Sequence, residues 1–486
     1  MKLVKLFKGI DYTLVNGTLD KNINKICDSS KKVTENSIFI CIEGTKQDGH
    51  KYIGEVIKKK VSCIVIEKDV NINFKDITVI KVKNAREVMS DLAANFYGKT
   101  FNFKFIGFTG TNGKTTSSFM LRSILMSEGK NVGLIGTSGV FFNNETIRGE
   151  DLTTPDPIEL YKILNIFQKK KADYVVAEMS AHALYFTKNR GIMTDIAVFS
   201  NLTQDHLDFF GTMENYGKAK MAYFSPNMSR IGIVNIDDEL GKSIQDDYKI
   251  PIYSYSCNGK ADFYATKINL KRNSFVFNHS HSSFKIKLSM PGLYNIYNAL
   301  SAVSAAVMLG IPEKYIKLGL LNLPEIAGRF NVFDFGKKGK VVLDFAHTPD
   351  GLLKVLTAAR EYKGKKGRII SVFGCGGNRD KGKRPIMGEI SGTYADYTII
   401  SIDNPRYEKP YSVMEDIAEG LKKIDARYEI IMPREKAIER AIELSSKHDV
   451  IVVSGKGVEP YYEVNGKKYE YHEEEIIKSL QLKYRK

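Results

Sequence analysis

The hydrophobic pattern changes rhythm twice along the chain. Up to about residue 100, short β-rich runs (37–42, 63–67 and 77–82) alternate with polar turns, which predicts a small α/β unit. From Phe103 the apolar run FKFIGFTG leads into TTSSFMLRSILMSEG, where Met120, Leu121, Ile124 and Leu125 share one helical face and Gly129 stands as the C-cap. NVGLIGT, DYVVAEMS, DIAVFSNLT and IGIVNID follow as strands, and their near-continuous apolar character fits parallel strands covered on both faces. After Gly328 a third rhythm begins, with KVVLDFA, RIISVFG, YTIISID and DVIVVSG alternating with helical stretches as βα units. The expected architecture is therefore α/β in three domains, residues 1–100, 101–328 and 329–486, the central one built on a parallel sheet.

Composition agrees and excludes several classes. A chain of 486 residues holds roughly three domains at about 150 residues each. Its 43% hydrophobic and 26% charged residues are an ordinary globular balance. Lys and Arg outnumber Asp and Glu by 72 to 56, a net charge of +16. That surplus suits nucleic acid, a membrane surface or small substrates rich in phosphate and carboxylate. No basic stripe interleaved with aromatics and no helix-turn-helix or RNA-binding signature is present, so no nucleic acid partner is expected. The most apolar stretch, 302–309, is too short to span a bilayer, and MKLVKLFKGI has no apolar run of the secretory kind behind it. Cys27, Cys41, Cys63, Cys257 and Cys375 are scattered and never form CxxC, which gives neither a disulfide framework nor a zinc site. A cytoplasmic protein with reduced thiols and no membrane partner is the expectation.

Candidate chemistry starts at Gly110-Thr111-Asn112-Gly113-Lys114-Thr115-Thr116, set between a predicted strand and a predicted helix. Glycines let backbone N–H groups converge on phosphate oxygens, the helix N-terminus adds positive potential, Lys114 can reach terminal phosphates and Thr115 can bind Mg²⁺. The strict GxxxxGK[ST] pattern is not met, because Phe108 occupies its first glycine position. The flanking strand and helix favour this phosphate loop over a Gly/Thr-rich surface turn, but the loop alone names no acceptor. Downstream, Glu178 ends the run YVVAE, and Asp205 and His206 follow the strand DIAVFSNL. A carboxylate at the carboxyl end of a buried strand suits a metal beside the phosphates, and a neutral imidazole can hold a second ion or orient a phosphate.

GTNGKTT, followed in order by DLTTPDP (151–157), EMSAHAL (178–184), NLTQDHLDFFG (201–211), YGKAK (216–220), YNIYNAL (294–300), GRF (328–330), DFAHTPDGL (344–352), GCGGNRDKGKRP (374–385), DNPR (403–406) and GKGVE (455–459), resembles the Mur ligases over nearly the whole chain. Within that family the match is to enzymes that add a diamino acid to a UDP-N-acetylmuramoyl dipeptide. The resemblance implies an amino-terminal UDP-sugar domain, a central P-loop ATPase domain and a carboxy-terminal Rossmann-like domain. It also implies ATP-driven amide formation through an acyl phosphate in peptidoglycan precursor synthesis, by a monomer whose partners are small molecules. By resemblance Gly110 to Thr116, Asn298, Arg329 and His347 bind ATP. Thr115, Glu178, His206 and Lys220 hold Mg²⁺, Lys220 as a carbamate formed with CO₂. Lys114, Glu178, His206 and Lys220 are the catalytic set. YGKAK carries two lysines, and only the family match picks Lys220 over a surface role.

Ser30, Thr153, Thr154, Ser180 and Lys188 match the contacts to the muramoyl peptide. Lys31 and Lys188 stand where relatives often have arginine, and Phe186 where they often have glutamine. Lysine keeps the charge but loses bidentate geometry. Arg379, Asp403, Asn404, Pro405, Arg406, Gly455 and Glu459 match the amino-acid site, with Val458 in place of a common histidine. An arginine in fourth place of DNPR marks enzymes that add meso-2,6-diaminopimelate, whose distal carboxylate it can pair bidentately. Lysine would leave that guanidinium unpaired. A loop pairing of Arg406 with Glu408 is the plain alternative, and lanthionine presents similar groups to such a site. Competing readings are a folylpolyglutamate synthetase-like ligase, a nucleotide-dependent nucleic-acid binder and an inactive scaffold.

Overall fold

The computed structural model describes residues 1–44, 47–71, 76–149, 152–247, 249–280, 282–363 and 365–484. Asp151 of the DLTTPDP segment lies outside them.

In the amino-terminal part, five strands run in the order Thr13–Asn16, Thr78–Lys81, Cys63–Ile66, Ser37–Ile40, Lys25–Cys27, parallel except for the first. The two-residue alternation of a strand sends Ile38 and Ile40 into one apolar cluster with Leu3, Leu6 and Leu92, and Phe39 into another with Ile53 and Ile64. Helix Ala85–Tyr97 starts where the Asn84 side chain accepts from the N–H groups of Arg86 (3.1 Å) and Glu87 (3.2 Å).

The central part is an eleven-stranded sheet. Its middle is parallel, in the order Val132–Gly136, Tyr174–Glu178, Lys104–Thr109, Thr194–Phe199, Ser229–Asn235, Ile252–Ser256, Phe263–Asn269. Antiparallel pairs extend both edges, Gly139–Phe142 with Glu145–Arg148 and Ser274–His279 with Ser282–Lys287. The expected parallel sheet is thus mixed at its rims, where short hairpins with one wet face replace the continuous apolar runs. Strand Lys104–Thr109 is covered on both sides. Ile106 and Phe108 meet Met120, Leu121 and Ile124 of helix Lys114–Ser127, while Phe105 meets Leu160 and Leu164 of helix Pro157–Lys169. Each such fully buried side chain contributes about 1.5–3 kcal/mol.

The carboxy-terminal part holds six strands in the order Asn331–Asp334, Lys340–Asp344, Val450–Ser454, Ile369–Phe373, Tyr397–Ile400, Tyr428–Ile430, again parallel apart from the first. A separate hairpin, Tyr461–Val464 with Lys467–Glu470, turns at Asn465-Gly466, both with positive φ (49° and 75°). Loops at the carboxyl ends of the central and carboxy-terminal strands face each other, which is where parallel α/β sheets place ligands. Among the described residues no helix is long and apolar enough to cross a membrane.

Candidate active site

Strand Lys104–Thr109 ends in the 110–113 loop, which runs into helix Lys114–Ser127 with Gly113 in the left-handed region as N-cap (φ 92°). A Cβ at Gly110 would strike Ser200 Oγ, and one at Gly113 would strike Asn298 Oδ1, so both positions need glycine for space as well as conformation. The 200–201 segment holds the loop through hydrogen bonds. Thr111 N–H donates to Asn201 O (2.8 Å), Asn112 N–H donates to Asn201 Oδ1 (3.0 Å), and Ser200 Oγ donates to Asn112 O (2.6 Å). Lys114 Nζ folds back onto Gly110 O and Thr111 O, both at 2.9 Å, and desolvation lowers its pKa despite Glu178 and Asp205.

Glu178, at the end of strand Tyr174–Glu178, is 1% exposed. Its carboxylate accepts from Thr115 Oγ1 (3.0 Å), Thr137 N–H (3.0 Å) and Thr137 Oγ1 (3.2 Å). Arg329 Nη2 donates to Thr115 Oγ1 at 3.0 Å. Thr116 is buried one residue further along the helix. Thr137 was not singled out by the sequence. Its signal is the GTSG turn closing the strand beside Glu178. Thr153 Oγ1 lies 3.0 Å from Thr137 Oγ1, and Thr154 Oγ1 donates to Glu178 O (2.8 Å) while accepting from Ser180 N–H (3.0 Å).

A second cluster surrounds Asp205, with His206 Nε2 at 3.3 Å, His347 Nε2 at 3.9 Å and Lys383 Nζ at 4.0 Å. Burial pushes His206 down to about 4 against the pull of Asp205, so the imidazole is neutral near pH 7. Of the two lysines in YGKAK, Lys218 is exposed and paired with Glu214 at 2.6 Å, while Lys220 is 1% exposed. Among the described residues Lys220 Nζ has no hydrogen-bond or ion-pair partner. It faces the Tyr216 ring at 4.5 Å. Burial, then the charge of Lys114, push its pKa well below the ordinary value.

Two cavities flank this centre. One of about 590 Å³ is lined by Gly113, Asn298, Tyr297, Asp237, Asp350 and Lys354. Arg329 and His347 do not line it. His347 opens instead into a cavity of about 130 Å³ with His206, Arg379, Asp403, Arg406 and Glu459, which Gly455 and Asn404 also line. Pro405 is buried beside this cavity, its carbonyl in the space a Cβ on Gly377 would take. Glu459 Oε2 accepts from Asn404 Nδ2 (2.8 Å) and from the buried Lys456 (3.0 Å), a residue the sequence reading passed over. The loop pairing of Arg406 with Glu408 is not formed. Glu408 is taken by Arg384 through two bonds of 2.9 and 3.0 Å.

The residues matched to the muramoyl peptide are spread more widely. Ser30 Oγ donates to Glu55 (3.0 Å), Lys188 pairs with Asp156 (2.7 Å), and the Arg86 guanidinium covers Phe186 at 4.7 Å. A cleft of about 670 Å³ lies between the first two domains, lined by Lys25, Lys32, Gly139, Arg148, Asp156 and Lys162 among others. Ser30, Thr153, Thr154, Ser180 and Lys188 are not among its lining residues.

Among the described residues no cluster of three or more His, Cys, Asp and Glu can hold a metal ion. The donors present are a hydroxyl, the buried carboxylates of Glu178 and Asp205 and a neutral imidazole, beside an unpaired buried lysine. That set suits a hard cation that takes its remaining ligands from phosphate oxygens and water.

A glycine-bearing loop between buried strand and helix, flanked by two further α/β units, defines a three-domain P-loop protein. Family models for the Mur ligase middle domain (residues 108–306), the Mur ligase glutamate ligase domain (328–457) and the Mur ligase family catalytic domain (22–97) match the chain. A Clostridium acetobutylicum protein named UDP-N-acetylmuramoyl-L-alanyl-D-glutamate--2,6-diaminopimelate ligase 1 is 42% identical over 98% of each chain. The protein named as that ligase in Clostridium tetani is 40% identical over 99% of each. A solved structure of a UDP-N-acetylmuramoyl-L-alanyl-D-glutamate--2,6-diaminopimelate ligase superposes with a TM-score of 0.68 at 25% identity, covering 99% of both chains. The chain belongs to the Mur ligase family. A MurF ligase from Thermotoga maritima in complex with ADP shares the fold, with a TM-score of 0.62 at 21% identity over 89% of this chain and 93% of that one.

Proposed function

We propose that this chain joins 2,6-diaminopimelate, as its meso isomer, to the D-glutamate carboxylate of UDP-N-acetylmuramoyl-L-alanyl-D-glutamate at the expense of ATP. One observation carries the reading beyond the relatives' names. Asp205, whose charge acts on Lys114 of the phosphate loop, also lies 3.3 Å from His206 and 3.9 Å from His347 in the cavity lined by Arg379, Asn404, Arg406 and Glu459, at the seam of the central and carboxy-terminal domains.

A carboxylate is a poor electrophile, so its oxygen first takes the terminal phosphoryl group and ADP leaves. The amine then attacks the acyl carbon, phosphate departs with the C–O electron pair, and the ammonium-derived proton is lost. In this reading the loop N–H groups and Lys114 bind the phosphates, which calls Lys114 off its own carbonyls. Asn298 and the 590 Å³ cavity take the nucleoside, and Arg329 reaches the phosphate side through Thr115. Closure of the seam shields the acyl phosphate from water. Mg²⁺, held by Thr115, Glu178, His206 and a carbamylated Lys220, would neutralise phosphate charge. The fit is supported by the buried Lys220 amine, whose pKa burial pushes well below the ordinary value, toward the neutral form that reacts with CO₂. Thr153, Thr154, Ser180, Lys188 and Ser30 bind the muramoyl peptide and UDP along the first two domains.

In the amino-acid cavity Arg406 pairs the distal carboxylate of the diamino acid and Glu459 receives its distal ammonium. The domain limits 1–100, 101–328 and 329–486, a monomeric state and a cytoplasmic location, without nucleic acid or membrane as partner, belong to the same proposal. The test supplies ATP, Mg²⁺, bicarbonate and UDP-N-acetylmuramoyl dipeptide with diaminopimelate, lysine or lanthionine, and follows phosphate release and the tripeptide nucleotide by chromatography. Diaminopimelate is expected to be preferred. Absence of product with every diamino acid would overturn the proposal.

A further inference from the structure

Arg406 stands in the left-handed region (φ 52°), where a side chain other than glycine's is strained. What holds it there is the hairpin Tyr461–Val464 and Lys467–Glu470. Arg406 N–H donates to Glu463 O (3.0 Å), Asn465 N–H donates to Arg406 O (2.6 Å), and Arg406 bridges to Val464. The same hairpin also sets the side chain. Glu463 Oε2 lies 3.5 Å from Arg406 Nε, while Arg406 Nη1 donates to Gly377 O at 2.8 Å. Gly376 lets the guanidinium lie flat, since a Cβ there would stand 2.8 Å from Nη1. A guanidinium has five N–H donors in a fixed planar fork. Glu463 covers the Nε edge and Gly377 one N–H of Nη1. The Nη1–Nη2 edge is what remains for a carboxylate in the cavity.

We propose that Glu463 is a positioning residue for diamino-acid selectivity, fixing which edge of Arg406 faces the distal carboxylate of the substrate. The proposal rests on the ligase reading above. The backbone N–H of Glu463 also donates to Asn404 Oδ1 (2.9 Å), which turns the Asn404 amide nitrogen toward Glu459. One strand therefore aligns the cationic and the anionic side of the cavity together. The side chain can be removed without touching these main-chain bonds, which separates orientation of the fork from integrity of the hairpin.

The experiment compares wild type, Glu463→Ala and Glu463→Gln with diaminopimelate and with lysine, alongside thermal unfolding. Without the carboxylate the fork swings, so KM for diaminopimelate is expected to rise about fivefold in Glu463→Ala, the scale of one ion pair. kcat, KM for ATP and kcat/KM for lysine should stay within about twofold, and Glu463→Gln, which keeps the shape of the side chain but not its charge, should fall between. A general loss of structure would instead move all these constants. Should Glu463→Ala fail to fold, Glu463→Gln decides alone. An unchanged KM for diaminopimelate in a folded variant overturns this role and leaves the ligase reading intact, whereas no tripeptide from wild type overturns the ligase reading itself.

Discussion

Lys218 and Lys220 stand two residues apart on helix Met213–Met221 and have opposite surroundings. Lys218 spends its charge on Glu214 at the surface, while Lys220 is buried against Tyr216 with Lys114 adding repulsion. Sequence chemistry alone could not separate them, because a helix period says nothing about which face a neighbouring loop will cover. Burial does separate them. A buried amine that stays neutral is costly to leave unused, and conversion to a carbamate turns it into an oxygen ligand for a hard cation. Lys220→Ala is expected to lose activity by about a hundredfold while keeping the wild-type unfolding temperature within a few degrees. Formate or acetate should restore part of the rate, as a carboxylate filling the gap left by the arm. Lys218→Ala should behave as wild type. Steady-state phosphate release with and without added carboxylate measures all three, and full activity of Lys220→Ala in carbon-dioxide-depleted buffer would rule the carbamate out.

At the scale of elements, the loop that carries Asp403 to Arg406 is anchored to helix Lys383–Tyr394 through one ion-pair cluster. Arg384, wholly buried, donates to both oxygens of Glu408 and to Asp416 at 2.7 Å, and Asn378 N–H donates to Glu408 as well. Those bonds, Arg384 first, hold Glu408 at about 2 rather than 4.5. A carboxyl with a depressed folded pKa stabilises the fold above its unfolded value and loses that contribution as the pH falls through the folded one. Glu408→Gln, which leaves Arg384 short of a charge, should therefore cost about 2–3 kcal/mol near pH 7. The gap between wild type and variant should close as the pH falls from 4.5 toward about 2 in urea unfolding. A pH-independent gap would show that packing, not charge, is lost. This cluster also marks the limit of what the chain reveals before folding. The buried strands, the phosphate loop and the helix after it were legible because each is written locally, as an apolar run or a loop between strand and helix. The 461–470 hairpin went unread although Asn465-Gly466 is a strong turn signal, because its strands are only four residues long and bury no side chain, so they carry no extended apolar run. Arg384 with Glu408, Thr137 with Glu178 and Lys456 with Asn404 join residues that only tertiary structure makes neighbours.

Over the candidate site the central and carboxy-terminal domains meet through polar contacts, beside a small apolar contact of Met290 and Tyr294 with the carboxy-terminal core. Asn112 reaches Asp350 at 2.8 Å, Gln204 reaches Asp380 at 2.7 Å, Arg379 reaches Asp208 at 3.2 Å and Arg329 reaches Thr115 at 3.0 Å. Most buried apolar residues lie within the separate sheets, with Ala93 and Ala94 of helix Ala85–Tyr97 joining a central cluster. Such hydrogen bonds, most of them half-buried, contribute about 0.5–1.5 kcal/mol each. A few of them sum to a closed state only modestly favoured over an open one, which is what a ligase needs if product is to leave. Removing two of these contacts with Asp208→Ala and Asp380→Ala should cost about 1 kcal/mol of closure, roughly a fivefold shift in population. Small-angle scattering of the ligand-free double variant should then give a larger radius of gyration than wild type. ATP analogue and UDP-N-acetylmuramoyl dipeptide together should bring it back, because they bind the closed form and supply the bias the lost contacts gave. KM for the diamino acid, whose candidate cavity is lined from both sides of the seam, should rise severalfold with kcat nearly kept. Equal radii for variant and wild type without ligand would mean that these bonds do not set the closure, and that the three domains are fixed by their linkers instead.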